Sequence, residues 1–368
     1  MDYSRLDPLI SISGEKITCV ADWETYRREE IIVLLSNFVY GVRPMERPDD
    51  ISFHVDAITE NYLGYPIVRK QVRISFLGFD LPFDLFLPMK TYRKKPVPVF
   101  LHIMNENSMN LHLPVENPEN EFLPIAALAQ RGYGCAAMAT LAVTPDWNHH
   151  PGFKKGVFHA IQPNTSHRND RSWATISAWA YGASRVMDYL ETDSDVLHEK
   201  VGICGHSRAG KTALWAGATD PRFALVISND SGCSGAAFTR SDAEGREHLK
   251  NILVSNWFCE NYRKYREREE MIPCDQHLLL AAIAPRPLYV KSNEEDLWAS
   301  PDDELKSCYL ASTVYALYGK SGLIAEDPIK IGVPYHEGTI AYHRSPGPHD
   351  LNAADWQLFM DFADKYLK

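Results

Sequence analysis

The segment Val201-Gly-Ile-Cys-Gly-His-Ser-Arg-Ala-Gly-Lys-Thr-Ala-Leu-Trp-Ala-Gly217 sets the expectation for the whole chain. It predicts a short apolar strand, a sharp turn that carries Ser207, and a helix rich in Ala and Leu. Such a turn exposes the serine hydroxyl at the carboxyl edge of a sheet and directs the next backbone N–H at an anion formed beside it. Gly205 leaves room before the serine. Many strand-to-helix turns look similar, so other segments must supply a base, an acid and the sheet.

Strand and helix patterns alternate on both sides of this turn. Apolar runs that are typical of buried strands lie at 96–103, 134–139, 223–229, 288–291 and 329–333. Helical patterns lie at 22–40, 122–130, 172–190, 276–284, 302–318 and 353–367. Regular alternation predicts an α/β fold with a central, mostly parallel, doubly wound sheet.

The other segments surround this sheet. Residues 1–95 predict an N-terminal helix followed by antiparallel strands. Two long polar and aromatic segments, 144–171 and 236–275, interrupt the alternation and predict insertions that form a cleft, because long irregular loops in a compact domain are usually functional. No linker divides the chain, so we expect residues 1–368 to form a single domain.

Composition excludes several functions. The 368 residues carry a net charge of −10, which argues against a nucleic-acid partner, and no apolar run is long enough for a membrane span. The first residues lack the pattern of a signal peptide, so we expect a cytoplasmic protein, or a secreted one whose signal peptide was removed. The seven cysteines form no CxxC pair, and we expect a monomer without metal or cofactor.

A serine nucleophile needs a histidine to take its proton and a carboxylate to hold the histidine. His349 fits the base, because it lies in Ser345-Pro-Gly-Pro-His-Asp350, just before the last predicted helix. His336 and His343 lie nearby, and we interpret them as polar lining or surface residues.

Two acids fit the third role. Asp296 follows the predicted strand 288–291, and Asp230 follows the strand immediately after the helix that Ser207 begins. Each lies in a loop after a strand, as the partners of such a serine do, so the sequence leaves both open.

Two cations accompany the serine. Arg208 follows it directly, and Lys211 lies four residues after it, on the same face of the predicted helix. Cations at this place suit an oxyanion and an acidic or hydroxyl-rich substrate. The plain alternative is an ordinary pair of helix residues bonded to nearby carboxylates.

Four motifs together resemble the glucuronoyl esterases of carbohydrate esterase family 15, particularly the bacterial members. They are Gly205-His-Ser-Arg-Ala-Gly-Lys211, Asn229-Asp-Ser-Gly232, Glu294-Glu-Asp-Leu-Trp298 and Gly347-Pro-His-Asp350 with Asp355-Trp356. The resemblance covers most of the chain. It implies an α/β-hydrolase fold, a three-layer sandwich, and cleavage of the esters that join 4-O-methyl-glucuronate on xylan to lignin alcohols.

The resemblance also implies residue roles. Ser207 would be the nucleophile and His349 the base, and Arg208 would stabilise the oxyanion through its backbone and side chain. Lys211 would bind hydroxyls of the uronate, and Trp298 would flank the sugar.

Six further positions follow from the same resemblance. Glu247 and Trp257 fall in a region that lines the sugar site of the family. Asp230 occupies the position of a common glutamate, one methylene shorter, while some bacterial members carry an acid at the position of Asp296. Fungal members bridge a cysteine before the serine to one after the histidine, and this chain has His206 and Asp350 there.

Two other functions stay open at this point. An acetyl-xylan esterase, or another carbohydrate carboxylesterase, could use the same fold. A glycan-binding protein that does not turn over its ligand is a third reading, which the set of serine, histidine and acid disfavours.

Overall fold

The computed structural model describes residues 6–92, 95–105, 116–146 and 152–368. Its strands are β1 Ser52–Thr59, β2 Ile67–Phe76, β3 Phe79–Pro88, β4 Val97–Met104, β5 Gly134–Ala139, β6 Val196–His206, β7 Phe223–Asn229, β8 Leu288–Asn293 and β9 Ile340–Ser345. They form one sheet in the order β1-β2-β3-β5-β4-β6-β7-β8-β9. The pairs β1–β2, β2–β3 and β3–β5 are antiparallel. The remaining pairs, which join β5, β4, β6, β7, β8 and β9 in that order, are parallel.

The central strands are buried on both faces, which is why they read as nearly continuous apolar runs. Along β4, Val99, Leu101 and Ile103 belong to one buried cluster, whereas Phe100 and Met104 belong to another. Successive side chains of a strand point to opposite faces of the sheet. The sheet is therefore the middle layer of three.

Helices cover both faces. They are α1 Arg28–Leu35, α2 Ile125–Gln130, α3 Thr140–Val143, α4 Gly156–Ile161, α5 Thr175–Leu190, α6 Arg208–Thr219, α7 Leu249–Ile252, α8 Gln276–Ala281, α9 Pro301–Leu317 and α10 Ala353–Leu367. Trp179 of α5 and Leu214 of α6 pack into the first cluster, whereas Leu128 of α2 and Phe359 of α10 pack into the second. This is the α/β-hydrolase fold, so the predicted fold class is confirmed.

One predicted strand is wrong. Residues 329–333 form no strand, and the last strand is β9, at Ile340–Ser345. The segment 329–333 has alternating apolar residues, but Ile331 and Val333 are exposed. The real strand was missed because it contains His343 and Arg344, whose polar side chains are buried against partners.

The ends of the chain's first helical region also differ in detail. Helical turns Val20–Asp22 and Trp23–Arg27 precede α1, and Ser36–Tyr40 follows it. The N-cap is Cys19, so the helical region begins at Val20, two residues before the predicted start at 22.

Both predicted insertions lie beside the sheet as short helices and turns. The first contains Gly152–Lys154, α4 and Thr165–His167, while its residues 147–151 lie outside the described residues. The second contains α7, Glu260–Tyr265 and Glu269–Met271. None of the helices in the described ranges has the length and apolar composition needed to cross a bilayer.

Candidate active site

Ser207 lies on the turn between β6 and α6. Its backbone has φ 58° and ψ −128°, a conformation that costs a residue with a side chain about 1–3 kcal/mol. Its N–H donates to the carbonyl of Asn229 at 2.8 Å, which ties the turn to β7. A Cβ atom on Gly205 would lie 2.2 Å from the carbonyl oxygen of Ala209, so α6 can begin this close to β6 only over a glycine. The turn holds Ser207 at the carboxyl edge of the sheet.

His349 lies in the loop between β9 and α10. Its Nδ1–H donates to Oδ2 of Asp296 at 2.6 Å. Asp296 lies in the loop after β8, and its side chain is only 5% exposed. This bond fixes the tautomer in which Nε2 of His349 carries the lone pair, which is the form that accepts a proton. His349 and Ser207 line the same cleft.

Asp230, the second candidate acid, lies at the end of β7 with φ 43° and is buried. Its Oδ1 accepts the N–H of Asn293 at 2.6 Å, and its Oδ2 accepts an N–H of Lys291 at 3.1 Å. Ligand-type atoms of Asp230, Asp296 and His349 lie within 4.8 Å of one another. Both carboxylates thus lie beside the imidazole, and Asp296 is the one that accepts its Nδ1–H.

The two carboxylates and the imidazole shift one another's protonation. Burial raises the pKa of Asp230 to about 6, although Lys291 and His349 oppose this effect. Burial acts against protonation of His349, but the hydrogen bond to Asp296 and the charges of Asp230 and Asp296 outweigh it. The pKa of His349 is therefore raised above its ordinary value, which makes the imidazole a stronger base.

These same three residues are the metal-type cluster found in the described part of the chain. Asp296 Oδ2 and His349 Nδ1 are joined to each other by the 2.6 Å hydrogen bond. Lys291 compensates the charge of Asp230 at 3.1 Å. The arrangement suits proton transfer better than metal binding.

Arg208, the first residue of α6, extends its guanidinium along the cleft. Its Nε lies 2.5 Å from Oδ2 of Asp146, and its Cζ lies 5.5 Å from the ring centroid of Trp257. Trp257 donates its own Nε1–H to Asp146 at 2.7 Å. The cation beside Ser207 is therefore held by one carboxylate and one indole ring.

Lys211 lies one turn further along α6 and is 3% exposed. Its Nζ donates to the carbonyl of Cys233 at 2.5 Å and to Oε2 of Glu247 at 3.0 Å. The other oxygen of Glu247 accepts the indole N–H of Trp298 at 3.0 Å. Glu247 thus connects a buried cation to a tryptophan that is 50% exposed.

The cleft has a volume of about 400 Å³, within the usual range for small-molecule sites. It is lined by Asn105, Asp146, His206, Ser207, Arg208, Glu247, Asn251, Ile252, Val254, Ser255, Trp257, Trp298 and His349. Of the residues expected at the site, Lys211 lies behind this wall, under Glu247, and Asp230 and Asp296 lie behind His349.

Sequence reasoning missed several residues of the site. Asp146 pairs with Arg208, and Asn105 donates to the carbonyl of His206 at 3.0 Å. Lys291 is fully buried beside Asp230 and Asp355, and only the structure shows this, because its strand is apolar like ordinary core. Asn105 follows β4 and Asp146 follows α3, in both cases without a recognisable motif, so pattern alone gave no signal for them.

His336 and His343 are not cleft or surface residues, which corrects the interpretation above. Tyr289 joins them, because its hydroxyl lies 2.6 Å from Nε2 of His336 and 2.8 Å from Nδ1 of His343. His343 donates Nε2–H to Asp355 at 3.0 Å. Both imidazoles belong to a buried polar network behind the site.

The fold, the strained serine turn and the histidine–carboxylate pair define the class of serine hydrolases built on the α/β-hydrolase fold. A family model described as glucuronyl esterase of fungi matches residues 130–319. The chain is 36% identical to a carbohydrate esterase from an unknown prokaryotic organism, over 99% of this chain and 90% of the relative. It is 35% identical to 4-O-methyl-glucuronoyl methylesterase 1 of Wolfiporia cocos, over 85% of this chain and 72% of the relative.

A solved structure is also similar. The glucuronoyl esterase from Solibacter usitatus superposes with a TM-score of 0.88 at 33% identity, covering 98% of this chain and 97% of that one. The chain belongs to the glucuronoyl esterases of carbohydrate esterase family 15, a family of carboxylic ester hydrolases.

Proposed function

We propose that this protein hydrolyses 4-O-methyl-glucuronoyl esters that link xylan to lignin alcohols. The observation that carries the proposal is the cleft itself. The cleft is lined by the serine, by a cation next to it, and by a histidine that a carboxylate holds. A glutamate and a tryptophan that share a hydrogen bond line it as well. A relative with 35% identity is named a 4-O-methyl-glucuronoyl methylesterase, which supports the choice of substrate.

The first half of the reaction forms an acyl-enzyme. Ser207 Oγ attacks the ester carbonyl carbon while Nε2 of His349 takes the hydroxyl proton. Asp296 accepts the Nδ1–H of His349 throughout and stabilises the imidazolium that forms. The tetrahedral intermediate then collapses, and His349 returns the proton to the departing alcohol.

The developing oxyanion is stabilised by the first turn of α6. The backbone N–H of Arg208 is the donor that follows a serine on this kind of turn. The Arg208 guanidinium adds a fixed positive charge, because Asp146 and Trp257 hold it beside the cleft. In the second half, water attacks the acyl carbon and His349 acts as base again.

Glu247 and Trp298 recognise the sugar. A ring hydroxyl donates to a carboxylate oxygen of Glu247, and the half-exposed indole of Trp298 packs against the ring. Lys211 holds Glu247 in place from behind through a hydrogen bond of 3.0 Å. The proposal includes action as a monomeric single domain, because the described residues of one chain include the serine, the histidine, the carboxylate and the cation of the site.

The mechanism is tested by Ser207→Ala with benzyl glucuronate as substrate. We expect the rate to fall by about 10³-fold or more, because the nucleophile is lost. Ser194→Ala, on an exposed turn, is the matched control and should keep the wild-type rate. A Ser207→Ala enzyme with most of the wild-type rate would refute the mechanism.

The substrate class is tested by Lys211→Met, compared on benzyl glucuronate and p-nitrophenyl acetate. Loss of a charged hydrogen bond is worth about 1.5–3 kcal/mol, so kcat/KM for the glucuronate ester should fall about tenfold or more. The acetate should change less than about threefold. Lys250→Met, exposed on α7, serves as control. Equal losses on both esters, or a preference of the wild type for acetyl esters, would favour the acetyl-xylan esterase instead.

A further inference from the structure

The ammonium group of Lys291 lies behind the catalytic histidine and has no exposure to solvent. It donates to Oδ2 of Asp230 at 3.1 Å, to Oδ1 of Asn293, and to the backbone carbonyl of Asp350 at 2.7 Å. A buried ammonium is costly unless its protons are all bonded. Three acceptors for three N–H groups meet that condition.

The carbonyl of Asp350 belongs to the residue immediately after His349. Asn229 donates to the same carbonyl at 3.0 Å from the other side. His349 lies in a loop and its side chain is 41% exposed, so the loop itself provides little packing to hold the ring. The bond from Lys291 anchors the backbone of that loop to β8, which is a rigid element.

Lys291 also lies between two buried carboxylates. Asp355 is 3.4 Å away and in turn accepts Nε2–H of His343 at 3.0 Å and the hydroxyl of Ser345 at 2.6 Å. Asp230 is the other carboxylate. Lys291 therefore binds Asp230 from β8, while Asp296 accepts the Nδ1–H of His349.

We propose that Lys291 is a positioning residue for His349: it anchors the carbonyl of Asp350 and engages Asp230, so that Asp296 pairs with the imidazole. This inference rests on the proposed esterase function. Lys291 touches neither substrate nor reacting atoms and acts through the histidine loop and Asp230.

Lys291 also affects the pKa of His349, both directly and through Asp230. The groups that face the imidazole are Asp296, Asp230, Lys291 and the ring of His206, which is 4.2 Å away between centroids. Asp230 raises the pKa of His349, and Lys291 lowers it by a smaller amount. Without Lys291, burial favours the neutral form of Asp230. The charge of Asp230 then no longer raises the pKa of His349, and this loss is the larger of the two effects.

The test is the pH profile of four enzymes: wild type, Lys291→Met, Asp230→Asn and the double variant. Lys291→Met should lower kcat about 10- to 100-fold with KM changed less than about threefold, because the base is misplaced. The acidic limb of the pH profile of Lys291→Met should move to lower pH by about half a pH unit. In the Asp230→Asn background the same substitution removes only a positive charge, so the limb should move to higher pH.

This reversal of sign separates positioning from a purely structural role, which would lower the active fraction without moving the limb. Limbs that shift in the same direction in both backgrounds, or do not shift, would overturn the proposal. If Lys291→Met does not fold, as judged by thermal unfolding, the double variant still decides. It removes the buried ammonium and the buried carboxylate together, so neither charge is left unpaired. Its kcat must fall below that of Asp230→Asn, and an equal kcat would overturn the proposal.

The profiles are measured on both benzyl glucuronate and p-nitrophenyl acetate, with Lys250→Met as control. If the wild type cleaves the acetate but not the glucuronate ester, the proposed substrate fails. The role of Lys291 is then still decided on the acetate.

Discussion

Replacing Asp296 by Asn removes the carboxylate that holds His349. In the native site the Nδ1–H of His349 meets Oδ2 at 2.6 Å, and the aspartate side chain is 5% exposed. An asparagine can present its NH₂ group to Nδ1, which moves the imidazole proton to Nε2. That nitrogen can then no longer accept the proton of Ser207.

The magnitude follows from these contacts. A hydrogen bond to a charged group is worth about 1.5–3 kcal/mol, which alone predicts a loss of about 10- to 150-fold in kcat. The wrong tautomer raises the expected loss to about 10⁴-fold, or about 5 kcal/mol. Asp230→Asn leaves the Asp296–His349 bond in place, so we expect it to cost less than about tenfold near neutral pH.

The assay is the steady-state hydrolysis of benzyl glucuronate by the two variants. Glu295→Gln is the matched control, because it removes an exposed carboxylate one residue from Asp296 and should leave kcat unchanged. Thermal unfolding checks that each protein is folded. The assignment is refuted if Asp230→Asn loses about 10³-fold while Asp296→Asn keeps more than about a tenth of the wild-type kcat.

Three further predictions concern pH and packing. The acidic limb of kcat/KM should have its midpoint above pH 6.5, the ordinary value for histidine, because the pKa of His349 is raised, and a midpoint below it would contradict the site electrostatics. Gly205→Ala should unfold the protein or cost more than about 3 kcal/mol in urea denaturation, since the new Cβ would lie 2.2 Å from a carbonyl oxygen. Gly202→Ala, with its nearest contact at 3.4 Å, should be tolerated. Burial raises the pKa of Glu304 to about 8. Its stabilising contribution is therefore complete below about 4.5 and is lost as the pH rises through 8, so Glu304→Gln should raise Tm at about pH 9 but not at about pH 4.

The fold could be predicted because its central strands are apolar on both faces and its elements alternate. The last strand could not, because β9 carries His343 and Arg344 in its buried interior. Polar residues there are satisfied by Asp355, Asp302 and Glu294, which lie elsewhere in the sequence. A periodic pattern identifies a strand by its apolar residues. It does not identify a strand whose buried polar residues are hydrogen-bonded by partners elsewhere in the sequence.

The candidate site shows the same division. The glycines around Ser207 give the turn a local signature, and order along the chain singles out His349. The two aspartates could not be separated by sequence, since both follow strands that end at the same edge of the sheet. What distinguishes them is Lys291, which binds Asp230 from a strand that reads as ordinary core. The resemblance implies that Lys211 binds the uronate. The sequence did not indicate that Lys211 is 3% exposed and donates to Glu247, which lines the cleft.

The most direct test of the proposed function is a crystal structure of Ser207→Ala with methyl 4-O-methyl-glucuronate bound. We expect the ester carbon to face position 207 and its carbonyl oxygen to lie within hydrogen-bond distance of the Arg208 N–H. The ring hydroxyls should contact Glu247, with Trp298 against the sugar. A sugar bound with its ester directed away from position 207, or bound outside this cleft, would contradict the proposed function.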